Sequence, residues 1–147
     1  MKITVFKYQD LGQERLYEIL KLRLEVFVVE QKCAYQDLDN KDEKALHLVG
    51  EENNKIIAYT RIFRKGDFFK NSSIGRVLVK KEYRNKDYGR IIMRRSIEKL
   101  KEDPKEEKIE LSAQKYLLKF YSELGFEKKG EEYLEDNIPH VKMILKI

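Results

Sequence analysis

The sequence predicts a mixed α/β sheet with a parallel middle and antiparallel ends, in the order β-α-β-β-β-α-β-α-β-β. Three observations predict it. Alternating strand patterns open and close the chain, and helical periodicity is interleaved with strands only in the middle, which calls for a crossover and hence a parallel pair. The 147 residues, 41% of them hydrophobic, are enough for one packed core and too few for two ordinary domains, so residues 1–147 are expected to form a single domain.

The elements follow in order. "ITVF" alternates as a first strand. From Glu14 to Glu30 the apolar positions Leu16, Ile19, Leu20, Val26 and Phe27 recur at helical spacing and predict an amphipathic helix. "ALHLVGE" and "KIIAYTRIF" flank "ENN", a hairpin signal between two strands, and "SIGRVLV" predicts a central strand. Ile92, Met93, Ser96, Ile97 and Leu100 make one face of a helix that stops before Pro104. "KIELSA" predicts a strand and "KYLLKFYSEL" a helix, closed by Gly125 in the left-handed conformation with Phe126 as its apolar partner. "FEKKG" and "HVKMILKI" predict the last two strands, around a turn-rich "LEDNIPH".

Charge is unevenly placed. Residues 80–95 carry Lys80, Lys81, Arg84, Lys86, Arg90, Arg94 and Arg95 against Glu82 and Asp87, a local excess equal to the whole net charge of +5. Residues 36–44, "QDLDNKDEK", are net acidic. The pair of patches suggests an anionic ligand at one place and a cationic one at another, unless both are solvated faces. Cys33 is the only cysteine, which excludes an internal disulfide and a cysteine metal cluster; without an obvious activating neighbour it reads as a loop thiol. No apolar run approaches the roughly 20 residues of a membrane span, and the N-terminus lacks a signal-peptide core, so the cytoplasm is the expected location and no membrane partner is expected.

Residues 76–95, "RVLVKKEYRNKDYGRIIMRR", run from an apolar strand through a basic turn into a helix. Backbone amides in such a turn and at the helix N-terminus form an anion site, to which the flanking cations add charge. With Gly89 alone and no Gly-Lys-Ser/Thr, the stretch is neither a P-loop nor a dinucleotide fingerprint.

"VLVKKEYRNKDYGRIIM" resembles the signature of the GNAT N-acetyltransferases, in which a strand leads into Arg/Gln-x-x-Gly-x-Gly/Ala at the start of a helix. Arg84 and Gly89 match; Asp87 stands where the first signature glycine belongs, which adds a carboxylate near the phosphates and a Cβ in a turn that favours positive φ. "LRLEVFVVEQKCAYQDLD", "SIGRVLV", "ELSAQKYLLKFYSELGF" and "YLEDNIPHVKM" extend the resemblance over nearly the whole chain, to the ElaA-like branch. The resemblance implies the GNAT fold and transfer of an acetyl group from acetyl-CoA to a primary amine, with no metal. It implies that Val77, Leu78, Val79, Arg84, Asn85, Lys86, Asp87, Tyr88, Gly89, Arg90 and Gln114 bind the cofactor, the carboxylate of Asp87 turned outward.

Acetyl transfer requires deprotonation of the amine, a donor for the oxyanion and protonation of the leaving thiolate. In the resemblance Tyr121, four residues before "GF", faces the CoA sulfur as the acid; spacing alone reads it as a core tyrosine beside Leu117, Leu118 and Leu124. A backbone amide near Val77 to Val79 is the oxyanion donor. His140 is the candidate base, against a structural histidine or a water chain with no single base. His47, within an alternating strand, reads as a satisfied core or cleft residue. Arg23 lies on the apolar face of its helix, where it either forms an ion pair with an acid such as Asp37 or Asp39 or clamps an acceptor carboxylate. Arg23, Glu30 and Asp37 are the candidate acceptor-binding residues. Two rival readings are a GNAT-shaped protein that binds CoA or a partner without catalysis, and a nucleic-acid module using the basic patch, which would lack regularly interleaved exposed aromatics. Self-association as a homodimer is left open.

Overall fold

The computed structural model describes residues 1–147. A seven-stranded sheet runs in the order β1-β2-β3-β4-β5-β7-β6. Its strands are β1 (Lys2–Lys7), β2 (Leu46–Glu52), β3 (Lys55–Phe63), β4 (Ser72–Val79), β5 (Lys108–Gln114), β6 (Glu127–Glu135) and β7 (Ile138–Lys146). Three helices accompany them, α1 (Gln13–Leu24), α2 (Tyr88–Lys101) and α3 (Leu118–Ser122). The predicted element order holds. The β4–β5 pair is parallel and every other pair antiparallel, as alternation confined to the middle of the chain requires.

The two faces carry separate apolar clusters. Ile92, Met93, Ile97 and Leu100 of α2 and Tyr121 of α3 pack with Ile74, Ile109, Leu111 and Met143 of the sheet. On the other face Ile19 and Leu22 of α1 pack on Val49, Tyr59 and Leu78. Alternation along β5 shows in its burial: Ile109, Leu111 and Ala113 are sealed, whereas Ser112 is exposed.

Three boundaries differ from the expectation. The first helix changes at Glu25 to π-type turns through Glu30, and Cys33 N–H bonds to the Val28 carbonyl at 3.1 Å, one residue further back than an α-helix reaches. The "KYLLKFYSEL" helix is split into a 3₁₀ turn over Lys115–Leu117 and the short α3. β6 runs to Glu135 rather than ending near Gly130, because Asp136 and Asn137, both at positive φ, make a two-residue hairpin turn whose twist suits the flanking strands. Asn53 and Asn54 do the same between β2 and β3, as "ENN" predicted. At Gly125 (φ 95°) the N–H groups of Gly125 and Phe126 bond to the carbonyls of Ser122 and Tyr121, the paired bonds of a Schellman cap, with the predicted residues in the predicted places.

Candidate active site

β4 and β5 are paired only at Ser72–Ile109 and Ser73–Glu110, after which they part. The register of β4 against β3 shifts between Tyr59 and Arg61, and Arg76 takes φ 52°, so a bulge bends β4 where it leaves its parallel neighbour. The gap opens into a cleft of about 840 Å³. Ligands of α/β sheets bind where neighbouring strands separate, and this volume lies in the range of about 300–1,000 Å³ usual for small-molecule sites.

Val77, Leu78 and Val79 form one wall. Lys80 N–H bonds to the Ile57 carbonyl at 2.7 Å on the β3 side, so alternation turns the backbone of Val79 the other way, into the gap. The Val79 carbonyl there accepts Arg84 Nε at 2.9 Å, leaving the Val79 N–H to the cleft.

Arg84, Asn85, Asp87, Tyr88, Gly89 and Arg90 line the end of the cleft where α2 begins. Asn85 (φ 69°) and Asp87 (φ 61°) are both left-handed, which concentrates amide donors in a short turn. No side chain caps α2 and its first turn holds no acid, so its N–H groups are available to an anion. The Asp87 side chain is 60% exposed at the rim of the cleft, its carboxylate 3.1 Å from Arg90 Nε. A Cβ at Gly89 would meet Phe120 at 3.5 Å and Val79 at 3.8 Å, ordinary contact, so this glycine serves the space inside the cleft rather than the backbone. Lys86 departs from the expectation, for it does not line the cleft and reaches toward Glu52 at 3.7 Å.

Tyr121 and His140 both line the cleft. The Tyr121 hydroxyl has no hydrogen-bond partner in the chain; burial, reinforced by the neighbouring Tyr116, pushes its pKa well above the usual phenol value, so it stays protonated. Phe120 and Phe126 pack edge-on against its ring. His140 Nδ1 donates to the Ile138 carbonyl at 2.6 Å, and its Nε2 lies 3.1 Å from Glu135 Oε2. Gln114 Nε2 donates to Gln31 Oε1 at 3.1 Å, tying β5 to the end of the first helix.

The three candidate acceptor residues are placed otherwise than expected. Arg23 and Asp37 do not reach the cleft: both side chains are fully buried, with Arg23 Nε 2.9 Å from Asp37 Oδ2 and NH1 2.7 Å from Asp42 Oδ1. This is the ion pair weighed in the sequence, not a carboxylate clamp, because a buried guanidinium keeps its charge only by engaging fixed partners. Glu30 does line the cleft, but Arg84 grips it with NH1 and NH2 at 2.7 and 3.0 Å. The expected acidic patch is neutralised in the same way. Arg61 holds Asp39 at 2.7 and 2.8 Å and also Asp42, while Arg76 Nε makes an ionic contact with Asp37 at 2.8 Å. Burial would raise the Asp39 pKa, but the hydrogen bonds and charge of Arg61, with Arg76, hold it down to about 2. His47 is a satisfied core histidine: Nε2 donates to the Asp42 carbonyl, Nδ1 accepts from Tyr59, and burial lowers its basicity.

Residues 7–147 match the family described as an acetyltransferase (GNAT) domain. The chain belongs to this family. Protein ElaA of Escherichia coli is 36% identical over 142 residues, 95% of this chain and 93% of that protein, which sets this GNAT protein in the ElaA-like branch. A UPF0039 protein of Schizosaccharomyces pombe is 41% identical over 146 residues, covering 97% of this chain and 96% of its own. Among solved structures, an acyl-CoA N-acyltransferase from Pseudomonas aeruginosa superposes with a TM-score of 0.92 at 35% identity over 99% of both chains.

The site also uses residues that sequence reasoning passed over. Ser112, Gln31, Tyr35, Arg76, Phe120 and Glu135 all line the cleft. Glu135 sat in the turn-rich "LEDNIPH"; strand alternation from the Asp136-Asn137 turn would have set it beside His140 on one face. Cys33, read as a loop thiol, is a cleft residue as well, 3.6 Å from the Asp136 carbonyl.

Proposed function

We propose that this protein is an acetyl-CoA-dependent N-acetyltransferase that delivers the acetyl group to a primary amine by direct attack. One observation carries the reading: beyond Ser73 the parting of β4 from β5 brings the backbone of Val77–Val79, the uncapped N-terminus of α2 and the unpartnered Tyr121 hydroxyl around one cleft. These groups fit the three parts of acetyl-CoA. The amides of residues 85–90 suit its pyrophosphate, the exposed edge of β4 suits the amide-bearing arm, and Tyr121 suits the sulfur.

In this reading the Val79 N–H donates to the thioester carbonyl oxygen and strengthens its bond as charge develops there. Tyr121 gives its proton to the departing thiolate, and His140 removes one from the attacking nitrogen. Gln114, held by Gln31, borders the arm. No step calls for a metal. No helix is long and apolar enough to cross a membrane.

Release of free CoA, measured across amines, polyamines, amino acids and peptides, tests the reading directly. Acetyl-CoA should also raise the melting temperature; at a hundred times the dissociation constant, linkage gives about 2.7 kcal/mol. Absence of both effects overturns the proposal. The second reading, a protein that binds CoA without turnover, draws on the Asp87 carboxylate at the cradle and on the engagement of Arg84 by Glu30. It predicts the thermal shift without CoA release.

A further inference from the structure

The β6–β7 hairpin sets a histidine directly beside a carboxylate. The Ile138 carbonyl can only accept, so His140 Nδ1 carries hydrogen, and whenever the ring is neutral its lone pair is on Nε2. That lone pair faces Glu135 Oε2 at 3.1 Å. Two acceptors facing each other at this distance are satisfied when a proton lies between them or when a donor with several N–H groups approaches both. The ring is fixed in this pose: Tyr133 stacks on it with centroids 6.2 Å apart, and the Tyr133 hydroxyl meets Ser112 Oγ, itself 3.5 Å from Glu135 Oε2. His140 is 6% exposed, whereas the Glu135 side chain is 52% exposed, so the pair is rigid on one side and reachable on the other.

Glu135 also differs from the cleft carboxylates that arginines hold. Glu30 is joined to Arg84, Asp39 to Arg61 and Asp87 to Arg90, but Glu135 meets only His140 and Ser112. The neighbouring Asp136, which lines the cleft too, has no ion-pair partner in the chain. Of the cleft's cations, Arg76, Arg84 and Arg90 are engaged by acids, and Lys41 rests over the Phe68 ring at 5.1 Å.

Building on the acetyltransferase reading, we propose that Glu135 and His140 form the acceptor station, where Glu135 holds the substrate ammonium and His140 takes its proton. The station selects a primary amine with no carboxylate on the amine-bearing carbon, such as a diamine or a lysine side chain. A carboxylate beside the ammonium would be pressed against Glu135 and Asp136 with no unengaged arginine to receive it. The step balances as follows. The ammonium donates one N–H to Glu135 and loses one proton to Nε2, the resulting imidazolium pairing with Glu135. The amine lone pair forms the C–N bond to the thioester carbon, the C–S bond breaks, and the nitrogen's second proton replaces the one that Tyr121 gives to the thiolate. The proton on His140 leaves to solvent, so ammonium and acetyl-CoA yield amide, CoA thiol and one proton.

The test compares 1,4-diaminobutane, Nα-acetyl-lysine amide and glycine as acceptors for the full chain, with acetyl-CoA affinity measured by calorimetry. The first two should exceed glycine in kcat/KM by about tenfold or more. Glu135→Gln, a change at a half-exposed side chain that the fold tolerates, should raise the amine KM by about tenfold and leave acetyl-CoA affinity unchanged. Glu135→Asp should restore part of the loss, which a merely structural effect would not. His140→Gln should act on kcat rather than KM. Glycine equal to the diamine, or an amine KM unmoved in Glu135→Gln, overturns the acceptor station while the acetyltransferase reading stands. Failure of the unaltered protein to bind acetyl-CoA overturns that reading and the station with it.

Discussion

Arg23 Nε stands 2.9 Å from Asp37 Oδ2, with both side chains fully closed to solvent, and this contact joins the first helix to the segment that precedes β2. Asp37 in turn touches Arg76 on the β4 bulge, so the pair also props the strand whose bend opens the cleft. Arg23→Ala leaves the fully buried Asp37 with only the partly exposed Arg76, and Asp42 with Arg61 alone. Removing one member of a buried pair costs about 3–5 kcal/mol, which corresponds to a fall in Tm on the order of 10 °C for a chain of this size. Calorimetric melting checks it, and an unchanged Tm would show that the network contributes no stability.

Asp87 occupies a left-handed turn that glycine adopts without strain, and its exposed carboxylate, at the start of α2, pairs only with half-buried Arg90. Asp87→Gly should therefore tighten acetyl-CoA binding, with little change in Tm. Titration calorimetry on both proteins decides it. Severalfold weaker binding in the variant would mean that the carboxylate has a positive role in the cradle.

Tyr121→Phe keeps the ring against Phe120 and Phe126 and deletes a hydroxyl that has no partner in the chain. Stability and acetyl-CoA affinity should hardly change. Turnover should fall on the order of a hundredfold, the usual scale of general acid assistance. If kcat with a good acceptor is unaltered, the thiolate takes its proton from water and Tyr121 is a packing residue.

Acid should loosen the arginine–aspartate network before it unfolds the rest. The Asp39 pKa drops from an ordinary 3.8 to about 2 in the fold, so the unfolded chain binds the proton more readily. The stability this contributes is complete above the unfolded value and is lost as pH falls from about 4 toward 2, with Asp42 shifted in the same direction. Melting followed over that window should show a decline that is smaller in Asp39→Asn, where only Asp42 still contributes. A parallel decline in both proteins would assign the acid sensitivity to other groups.

Local periodicity and turn chemistry settled most of the fold. The Schellman cap at Gly125, the Asn53-Asn54 hairpin and the stop of α2 ahead of Pro104 all depend on residues adjacent in the chain, where φ preferences and missing donors act without help from tertiary contacts. The turn proposed as the cradle was legible for the same reason, since it is formed by one short turn and one uncapped helix start. Partner choice was not. The pairing of Glu30 with Arg84 spans 54 positions and that of Arg61 with Asp39 spans 22.

The sequence by itself determined the order of strands and helices, the central place of β4 and the turn that leads into α2, because short-range sterics and apolar period suffice for each. Only the tertiary structure decided which charges remain available in the cleft. Arg23, Glu30 and Asp37 read in the sequence as ligands for an acceptor, yet each is engaged by another side chain, while Glu135, which the sequence reading passed over, meets no arginine or lysine and only His140 and Ser112. A charge acts on a substrate only where folding has not already given it a partner, and partners are assigned by Coulomb energy and desolvation across the whole chain, not by spacing along it.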